Sequence, residues 1–77
     1  MKRIMQAGLY RHYKGKFYTV IGVARHSETE EELVVYRTEY GDRGLWVRPR
    51  EMFEGEVEVG GERVKRFAKV EEGSREL

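Results

Sequence analysis

The sequence contains no cysteine, a single proline and no long apolar run. Without thiols the chain can form neither disulfides nor thiolate metal sites, which favours a reducing compartment. No apolar stretch approaches the roughly 20 residues that a membrane-spanning helix needs. The basic start of the chain is not followed by the apolar segment of a signal peptide, so we expect a cytoplasmic protein.

Residues that could bind a cofactor are also scarce. The chain has two histidines, His12 and His26, and no familiar metal-ligand spacing surrounds either of them. A turn centred on Lys14-Gly15 would place residues 12 and 17 opposite each other, and His26 would then lie too far along the next strand to share a metal with His12. We therefore expect no cofactor, and a partly exposed, hydrogen-bonded position for each histidine.

The charges are unevenly distributed, although the formal net charge is only +1. The first 27 residues carry Lys and Arg but no acid, and all 14 acidic residues follow them. Opposite charges that pair across neighbouring strands would explain this pattern. An anionic partner would explain it as well. A net charge so close to zero argues against a strong, salt-dependent nucleic-acid binder.

Alternation of apolar and polar residues indicates β-strands along almost the whole chain. Turn signals stand at residues 14–16, 41–44 and 60–61. Pro49 ends a strand and suits the first turn of a short helix. Gly22, in the middle of a strand, predicts a bend, a bulge or the close approach of another backbone. The predicted strands cover residues 9–13, 17–26, 33–40, 45–49, 56–59 and 62–67, with a helical turn over 50–53.

Five or six short antiparallel strands with at most one helical turn favour an all-β fold, either a small barrel or a sandwich. We expect residues 1–77 to form a single domain with loosely ordered ends at 1–6 and 71–77, because so short a chain has room for one small core. On the second strand, alternation divides the side chains into two faces: Phe17, Thr19, Ile21, Val23 and Arg25 on one, Tyr18, Val20, Gly22, Ala24 and His26 on the other. The predicted core comprises Leu9, Tyr13, Tyr18, Val20, Val34, Tyr36, Leu45, Val47, Met52, Phe53, Val57 and Phe67.

His26, Ser27 and Glu28 stand side by side and raise the question of a hydrolase site. Consecutive residues of a strand point to opposite faces, so such neighbours rarely form the hydrogen bond that activates a serine. No nucleophile-elbow motif surrounds Ser27 either. Ser27 and Thr29 are better explained as turn or capping residues, since Ser27 and Glu30 have the spacing of a capping box. A binding loop is a second interpretation, and we do not expect an enzyme.

Aromatic and basic side chains are interleaved at residues 10–14 and again around Trp46 and Arg48. Such mixtures bind single-stranded nucleic acids, because cations meet phosphates and rings stack on bases. They also line grooves that receive peptides. In the structural alternative the rings form the wall of a barrel and arginine stems cover apolar surface. Trp46 and Arg48 share a strand face, where Arg48 could stack on a ring, pair with Glu28 or Glu39, or bind an anion.

Several of these segments together resemble a known family. They are GLYRHYKG at 8–15, the spaced Tyr, Val, Gly, Ala and His of 18–26 with the following SET, VVY at 34–36, WVRP at 46–49 and MF at 52–53. This combination resembles the small bacterial family of domains of unknown function numbered 1653, over about residues 8–67. The resemblance implies a compact β-barrel related to SH3-like folds. As the family's name says, it brings no activity, so no catalytic residue is transferred.

We therefore expect a small SH3-like barrel that binds a ligand without transforming it. The leading prediction is a module that recognises a protein segment or a small anionic ligand through an aromatic and basic surface. A barrel that binds RNA or single-stranded nucleic acid is the alternative, a serine-dependent hydrolase is a remote third, and no membrane partner is expected. The candidate binding residues are Tyr10, His12, Arg25, His26, Trp46 and Arg48, with Glu28 and Thr29 at the rim.

Overall fold

The structure, a computed structural model, describes residues 4–71. It consists mostly of antiparallel strands, as the alternating sequence predicts, together with one short helix. Of the ends that we expected to be loosely ordered, residues 1–3 and 72–77 lie outside the described residues. The elements in chain order are β1 (Gly8–His12), β2 (Phe17–Arg25), β3 (Glu32–Thr38), β4 (Leu45–Pro49), α1 (Arg50–Phe53), β5 (Glu56–Val59), β6 (Glu62–Lys65) and β7 (Phe67–Lys69).

Five strands form one sheet in the order β4-β3-β2-β1-β7, and β5 pairs with β6 as a separate hairpin. The first four strands follow one another as a meander, and the last strand returns to pair with β1. β4 and β7 occupy the two edges of this sheet, which is not closed among residues 4–71. No described helix has the length and the apolar character needed to cross a membrane.

The number of strands exceeds the prediction by at least one. The structure has seven strands over residues 4–71, because the last predicted strand is divided in two. The chain bends at Arg66, so that β6 stays with β5 while β7 joins β1. The Arg66 N–H donates to the carbonyl oxygen of Gly55 at 3.1 Å, and the Tyr13 N–H donates to that of Arg66 at 2.9 Å. These two bonds hold the bend between the hairpin and the five-stranded sheet.

The β1–β2 hairpin is present, but its register differs by one residue from the prediction. Phe17 pairs with Arg11 and not with His12. The loop consists of residues 13–15 and ends on Gly15, which takes a left-handed φ of +112°. A three-residue loop that ends on a left-handed glycine therefore replaces the turn centred on residues 14 and 15, which shifts the pairing.

Gly22 marks a β-bulge, one of the three features that its mid-strand position predicted. Val20 pairs with Tyr36, whereas Gly22 pairs with Val35, so Ile21 is an extra residue on β2. No atom lies within 4 Å of the point where a Gly22 side chain would begin, so the glycine does not serve the close approach of another backbone.

The extra residue reverses the facing of everything that follows it on β2. Val23 pairs with the buried Val34, and paired residues point to the same side of a sheet. Val23 therefore lies with Val20 and Val34 on the side that we call the core face, opposite the outer face. The prediction of which β2 side chains share a face is right up to Val20. Beyond Val20 it is wrong, because Val23 and Arg25 lie on the core face with Val20 and not on the opposite face.

The helical turn predicted after Pro49 is confirmed as α1. It carries Phe53 into the core, where the side chain is buried. Arg50, at the start of the turn, pairs with Glu54 at 3.0 Å and with Glu32 at 3.2 Å. These contacts fix α1 against the beginning of β3. The turn at residues 60–61 is also confirmed, with left-handed φ values of 58° and 85° at its two glycines.

The core is built mainly from aromatic rings. Phe53 and Phe67 stack face to face, with ring centroids 4.0 Å apart and an interplanar angle of 3°. Tyr10 and Tyr36 contact Phe53 at 5.4 and 5.9 Å, and Tyr18 meets Phe67 at 5.4 Å. The buried apolar residues are Tyr10, Val20, Val34, Tyr36, Phe53 and Phe67.

The predicted core is confirmed in part. It is right for Val20, Val34, Tyr36, Phe53 and Phe67, and Leu9, Tyr18 and Val57 are half-buried. It is wrong for Tyr13, Leu45, Val47 and Met52, which are exposed. Alternation shows which residues share a face, but it does not show whether another layer covers that face. Leu45 and Val47 lie on the outer face of an edge strand, which nothing in the described part of the chain covers.

Replacing Phe53 by Ala should destabilise the fold by about 3–5 kcal/mol, because it removes one ring of the stacked pair and leaves a cavity. The side chain is only 1% exposed, so little of this loss can be relieved by water. Chemical denaturation followed by Trp46 fluorescence measures the change.

Met52→Ala is the matched control, because Met52 lies on the same helical turn and is 50% exposed. We expect its free energy of unfolding to change by no more than about 0.5 kcal/mol. Equal losses for the two variants would contradict the core described above.

Candidate functional site

His12, Trp46 and Arg48, three of the predicted binding residues, lie on the core face of the five-stranded sheet together with Tyr10 and Arg25. His12 is opposite Phe67 of β7, and Trp46 and Arg48 are opposite the buried Tyr36 and Val34. The common face predicted for Trp46 and Arg48 is therefore confirmed. The register brings β4 and the β1–β7 pair, which are distant in sequence, to the same side of the molecule.

Tyr10, a fourth predicted binding residue, belongs to the core. The side chain is 8% exposed, and its hydroxyl donates to the carbonyl oxygen of Gln6 at 2.8 Å. Burial raises the pKa of Tyr10, and the negative charge of Glu54 raises it further. A ring so enclosed offers no surface to a ligand, so the candidate surface narrows to the other residues.

The remaining predicted residues lie at the end of the β2–β3 hairpin, which we call the hairpin tip: Arg25, His26, Glu28 and Thr29. The Nδ1 atom of His26 accepts hydrogen bonds from the backbone N–H groups of Glu28 at 3.1 Å and Thr29 at 3.4 Å. Arg25 pairs with Glu30 at 3.5 Å. These contacts shape the turn from within, and they engage the side chains of Arg25 and His26.

The same contacts explain the adjacent histidine and serine. The turn interpretation is confirmed for Thr29, whose Oγ1 accepts the backbone N–H of Glu31 at 3.1 Å. The other side chain that caps the turn is that of His26 and not that of Ser27. Ser27 is exposed, and over residues 4–71 its hydroxyl forms no hydrogen bond with His26. The serine therefore lacks the contact with a base that activates a nucleophile.

His12 is half-buried against aromatic rings. Its ring centroid lies 4.9 Å from that of Phe67, and its Nδ1 accepts the backbone N–H of Lys14 at 3.1 Å. Burial lowers the pKa of His12, and the positive charges of Arg48, Arg66 and Lys14 lower it further. The ring is therefore neutral near pH 7, and because Nδ1 is an acceptor, its proton resides on Nε2.

Two half-buried arginine side chains each have a buried guanidinium nitrogen without a hydrogen-bond partner within residues 4–71. The Nε atoms of Arg48 and Arg66 are buried and have no hydrogen-bond partner. The ion pairs of residues 4–71 include neither side chain. The guanidinium of Arg48 lies 5.6 Å from the centre of the Phe67 ring, a cation–π contact that offsets part of the lost hydration but occupies none of its N–H groups. We call His12, Arg48, Arg66 and Phe67 the arginine site.

Two tyrosines and a lysine border the arginine site. Tyr18 contacts the rings of His12 at 6.2 Å and Phe67 at 5.4 Å, and its hydroxyl is hydrogen-bonded to that of Tyr40 at 3.0 Å. Burial, followed by this hydrogen bond, raises the pKa of Tyr18 to about 12. The Nζ atom of Lys16 lies 4.2 Å from the centre of the Tyr40 ring. The border is therefore both aromatic and cationic.

Glu39, which we considered as a partner of Arg48, is fully engaged elsewhere. It accepts a hydrogen bond from Thr19 at 2.5 Å and pairs with Arg37 at 3.0 Å and Arg43 at 2.6 Å. The bond from Thr19, more than any other contact, lowers the pKa of Glu39. Of the roles considered for Arg48, stacking on a ring is the one that the structure shows.

Charge compensation across strands explains little of the uneven charge distribution. β2 and β3 are neighbours as expected, yet of the described basic residues in the first 27 only Arg25 forms an ion pair. Arg11, Lys14 and Lys16 pair with no acid of residues 4–71. The interpretation that invokes an anionic partner therefore keeps its support.

Sequence reasoning missed Arg66 as a member of the site and assigned Tyr18 and Phe67 to the core alone. Phe67 meets His12 only because β7 pairs with β1, and no local pattern predicts that pairing. The signal that could have pointed to Arg66 is its position between two strands, directly before Phe67. No group of three or more His, Asp or Glu side chains among residues 4–71 could hold a metal ion.

Comparison with known proteins confirms the resemblance noted in the sequence. A family described as "Protein of unknown function (DUF1653)" matches residues 8–69. The crystal structure of a DUF1653 protein from Bordetella bronchiseptica is similar to this chain, with 38% identity and a TM-score of 0.79, over 86% of this chain and 87% of that one. None of the curated proteins matches the chain.

Replacing Arg48 by Gln should raise the pKa of His12 toward its ordinary value, because one of the charges that oppose protonation is removed. An NMR titration of the His12 ring protons measures the change. Arg63→Gln is the matched control, since Arg63 pairs with Glu56 on the separate β5–β6 hairpin. An unchanged pKa in the Arg48 variant would contradict the arrangement of the arginine site.

The lowered pKa of His12 also predicts how stability depends on pH. As pH falls through about 6.5, the unfolded chain takes up a proton at this residue more readily than the folded chain does. The stability that neutral His12 contributes is therefore complete above that pH and is lost below it. His12→Gln should flatten this decline, measured by denaturation at a series of pH values. The same slope in both proteins would contradict the expectation.

Proposed function

The chain belongs to the DUF1653 family, whose description assigns no activity, and we propose that it is a non-enzymatic binding module. Its ligand is a protein segment or a small anionic molecule. The binding surface consists of the arginine site together with Trp46, and Lys16 and Tyr40 form its border. The hairpin tip lies further along β2 and β3 and forms the rim of the surface.

The uncompensated charge of Arg48 is the observation that carries this proposal. A buried guanidinium donor without a partner is unfavourable by roughly 1–3 kcal/mol. Native structures leave few such donors unpaired, and a ligand is one of the explanations for those that remain. A carboxylate or phosphate would supply both the opposite charge and the acceptor atoms that Arg48 lacks.

Exposed rings next to the arginine site supply the second component of the surface. Trp46 is more than half exposed and lies two residues before Arg48 on the same face of β4. Rings of this kind pack against apolar side chains or stack on planar groups. A ligand that carries an anionic group beside an apolar or planar one would contact both components.

We further propose that the fold is related to SH3-like barrels and forms one domain. Strand order supports this relation: a meander of four strands is followed by a helical turn, and the last strand pairs with the first. Domains of the SH3 type bind extended peptide segments in aromatic grooves. A small β fold with an exposed indole ring on β4 suits the same kind of ligand.

A nucleic-acid ligand is the second candidate, favoured by the basic residues that have no acidic partner within residues 4–71. These are Arg11, Lys14 and Lys16 on the β1–β2 hairpin, in addition to the two arginines of the site. Cations interleaved with rings bind single strands through phosphates and bases. Such binding weakens steeply as salt rises, because phosphate contacts release counterions.

An amide chemical-shift titration of the labelled protein tests the proposal with four ligand sets: short peptides, small carboxylates, short RNA and short single-stranded DNA. Shifts should concentrate at His12, Trp46 and Arg48. Arg48→Gln should weaken binding about tenfold or more, because a hydrogen bond to a charged group contributes roughly 1.5–3 kcal/mol.

Arg63→Gln, on the remote hairpin, should bind as the unmodified protein does. Affinity that survives an increase in salt supports a peptide or carboxylate ligand, whereas a steep loss supports nucleic acid. Shifts confined to the turn at residues 60–61 would reject the proposed surface.

A further inference from the structure

β4 is an edge strand that the rest of the described chain leaves open on both faces. Leu45, Trp46 and Val47 are 66%, 57% and 56% exposed. Because successive side chains of a strand point to opposite faces, exposure of all three means that neither face is covered. Within residues 4–71, β4 pairs with β3 alone, so its other side presents backbone N–H and C=O groups without strand partners.

This edge lacks most of the features that normally protect one. Proteins block pairing at sheet edges with charged side chains, prolines, bulges or a covering element. The segment from Leu45 to Val47 is uncharged, and its register with β3 is regular, without a bulge. Pro49, which cannot donate a backbone hydrogen bond, stands only at the end of the strand. An open, regular, apolar edge is the kind of surface to which an extended peptide adds as one more strand.

Two arginines whose Nε atoms lack acceptors among the described residues stand at one end of this uncharged edge. Arg48 directly follows the open segment, and its buried Nε has no acceptor in the described structure. Arg66, whose buried Nε also has no acceptor, lines a depression with Pro49 at the end of β4. Glu31 and Glu51 also line this depression, but neither pairs with Arg66. A ligand along the edge therefore needs its negative charge at one end and none along its length.

We propose that β4 binds the C-terminal end of another polypeptide by strand addition, with the terminal carboxylate held by Arg48. The backbone of the bound segment would pair with Leu45, Trp46 and Val47, and its carboxylate would pair with the Arg48 guanidinium, which forms no ion pair within residues 4–71. The last side chains of the peptide would point alternately to the two faces of the sheet. Those on the core face would contact Trp46 and those on the outer face Leu45 and Val47, so apolar residues are favoured at successive positions. This inference rests on the proposed function and names the ligand class of the same surface.

The placement of charge distinguishes a chain terminus from other anionic ligands. A nucleic-acid backbone carries a charge at every phosphate and needs cations spaced along its path. A terminus carries a single carboxylate at the end of an extended chain, which corresponds to an uncharged strand followed by one unpaired arginine.

The test compares two forms of one pool of short, N-acetylated peptides with apolar last residues: free C-terminal acids and the corresponding C-terminal amides. Binding to the full chain is followed by amide shifts and by hydrogen exchange. The acids should bind at least about tenfold tighter than the amides, since only they form the charge-assisted hydrogen bond to Arg48. The edge amides of residues 45–47 should exchange more slowly when peptide is bound.

Variants separate the carboxylate contact from strand pairing. Arg48→Gln should remove the difference between acid and amide while leaving the weaker affinity for the amide. Arg63→Gln should leave both affinities unchanged. Two peptides are N-methylated at alternate backbone nitrogens, one in each of the two possible registers. At least one of them should lose binding, because only one set of N–H groups faces β4. The comparisons between peptides use the unmodified protein, so they remain decisive if the Arg48 variant does not fold.

Other outcomes would overturn the inference in distinguishable ways. Equal affinity for acids and amides, or undiminished binding of N-methylated peptides, would reject a captured terminus and leave the binding module intact. No shift at the arginine site with peptides, carboxylates or nucleic acids would remove the proposed function and this inference together. Self-association through β4 that peptide acids do not reverse, measured by sedimentation, would assign the edge to a second copy of this chain.

Discussion

The stacked rings of Phe53 and Phe67 connect two parts of the sheet that backbone hydrogen bonds leave apart. Phe53 comes from the helical turn that follows β4, and Phe67 begins the strand that pairs with β1. Their contact at 4.0 Å therefore joins the two ends of the five-stranded sheet across its core face. Tyr10 and Tyr36 pack onto the same pair. Burial of these four aromatic rings therefore supplies most of the hydrophobic stabilisation that so small a fold can have.

The candidate site depends on the same pair. Phe67 has the core on one side and the groups of the arginine site around it, with His12 and Arg48 both in contact with its ring. The positions of these polar groups are thus set by the packing that stabilises the fold. A buried Nε–H donor without an acceptor is an exception in an otherwise regular structure, and such exceptions are expected at sites where a protein binds a ligand. The Phe67 ring stabilises the positive charge of Arg48, and the proposed anionic ligand would supply the acceptor that this side chain lacks.

Local sequence patterns predicted the strands, the turns and the helical turn, because alternation, glycines and Pro49 act over a few residues. They could not predict which way β2 faces beyond Ile21, since a bulge adds one residue without changing the composition of the strand. They also placed Val47 in the core, because periodicity identifies a face and not what covers it. The site was predicted only in part. Trp46 and Arg48 were expected to share a face, but the contacts of His12 and Arg48 with Phe67 depend on the long-range return of β7.

The bulge at Ile21 determines how β2 would respond to a deletion. β2 is one residue longer than its pairing with β3 requires, which is why Val20 and Val23, three residues apart, lie on the same side of the sheet. Deletion of Ile21 would leave Val23 opposite Val34 and Arg25 opposite Glu32, so the far half of the hairpin would keep its pairing and its faces. What the strand would lose is the local bend and the added twist that a bulge produces. The extra residue therefore shapes the curvature of the sheet at this point.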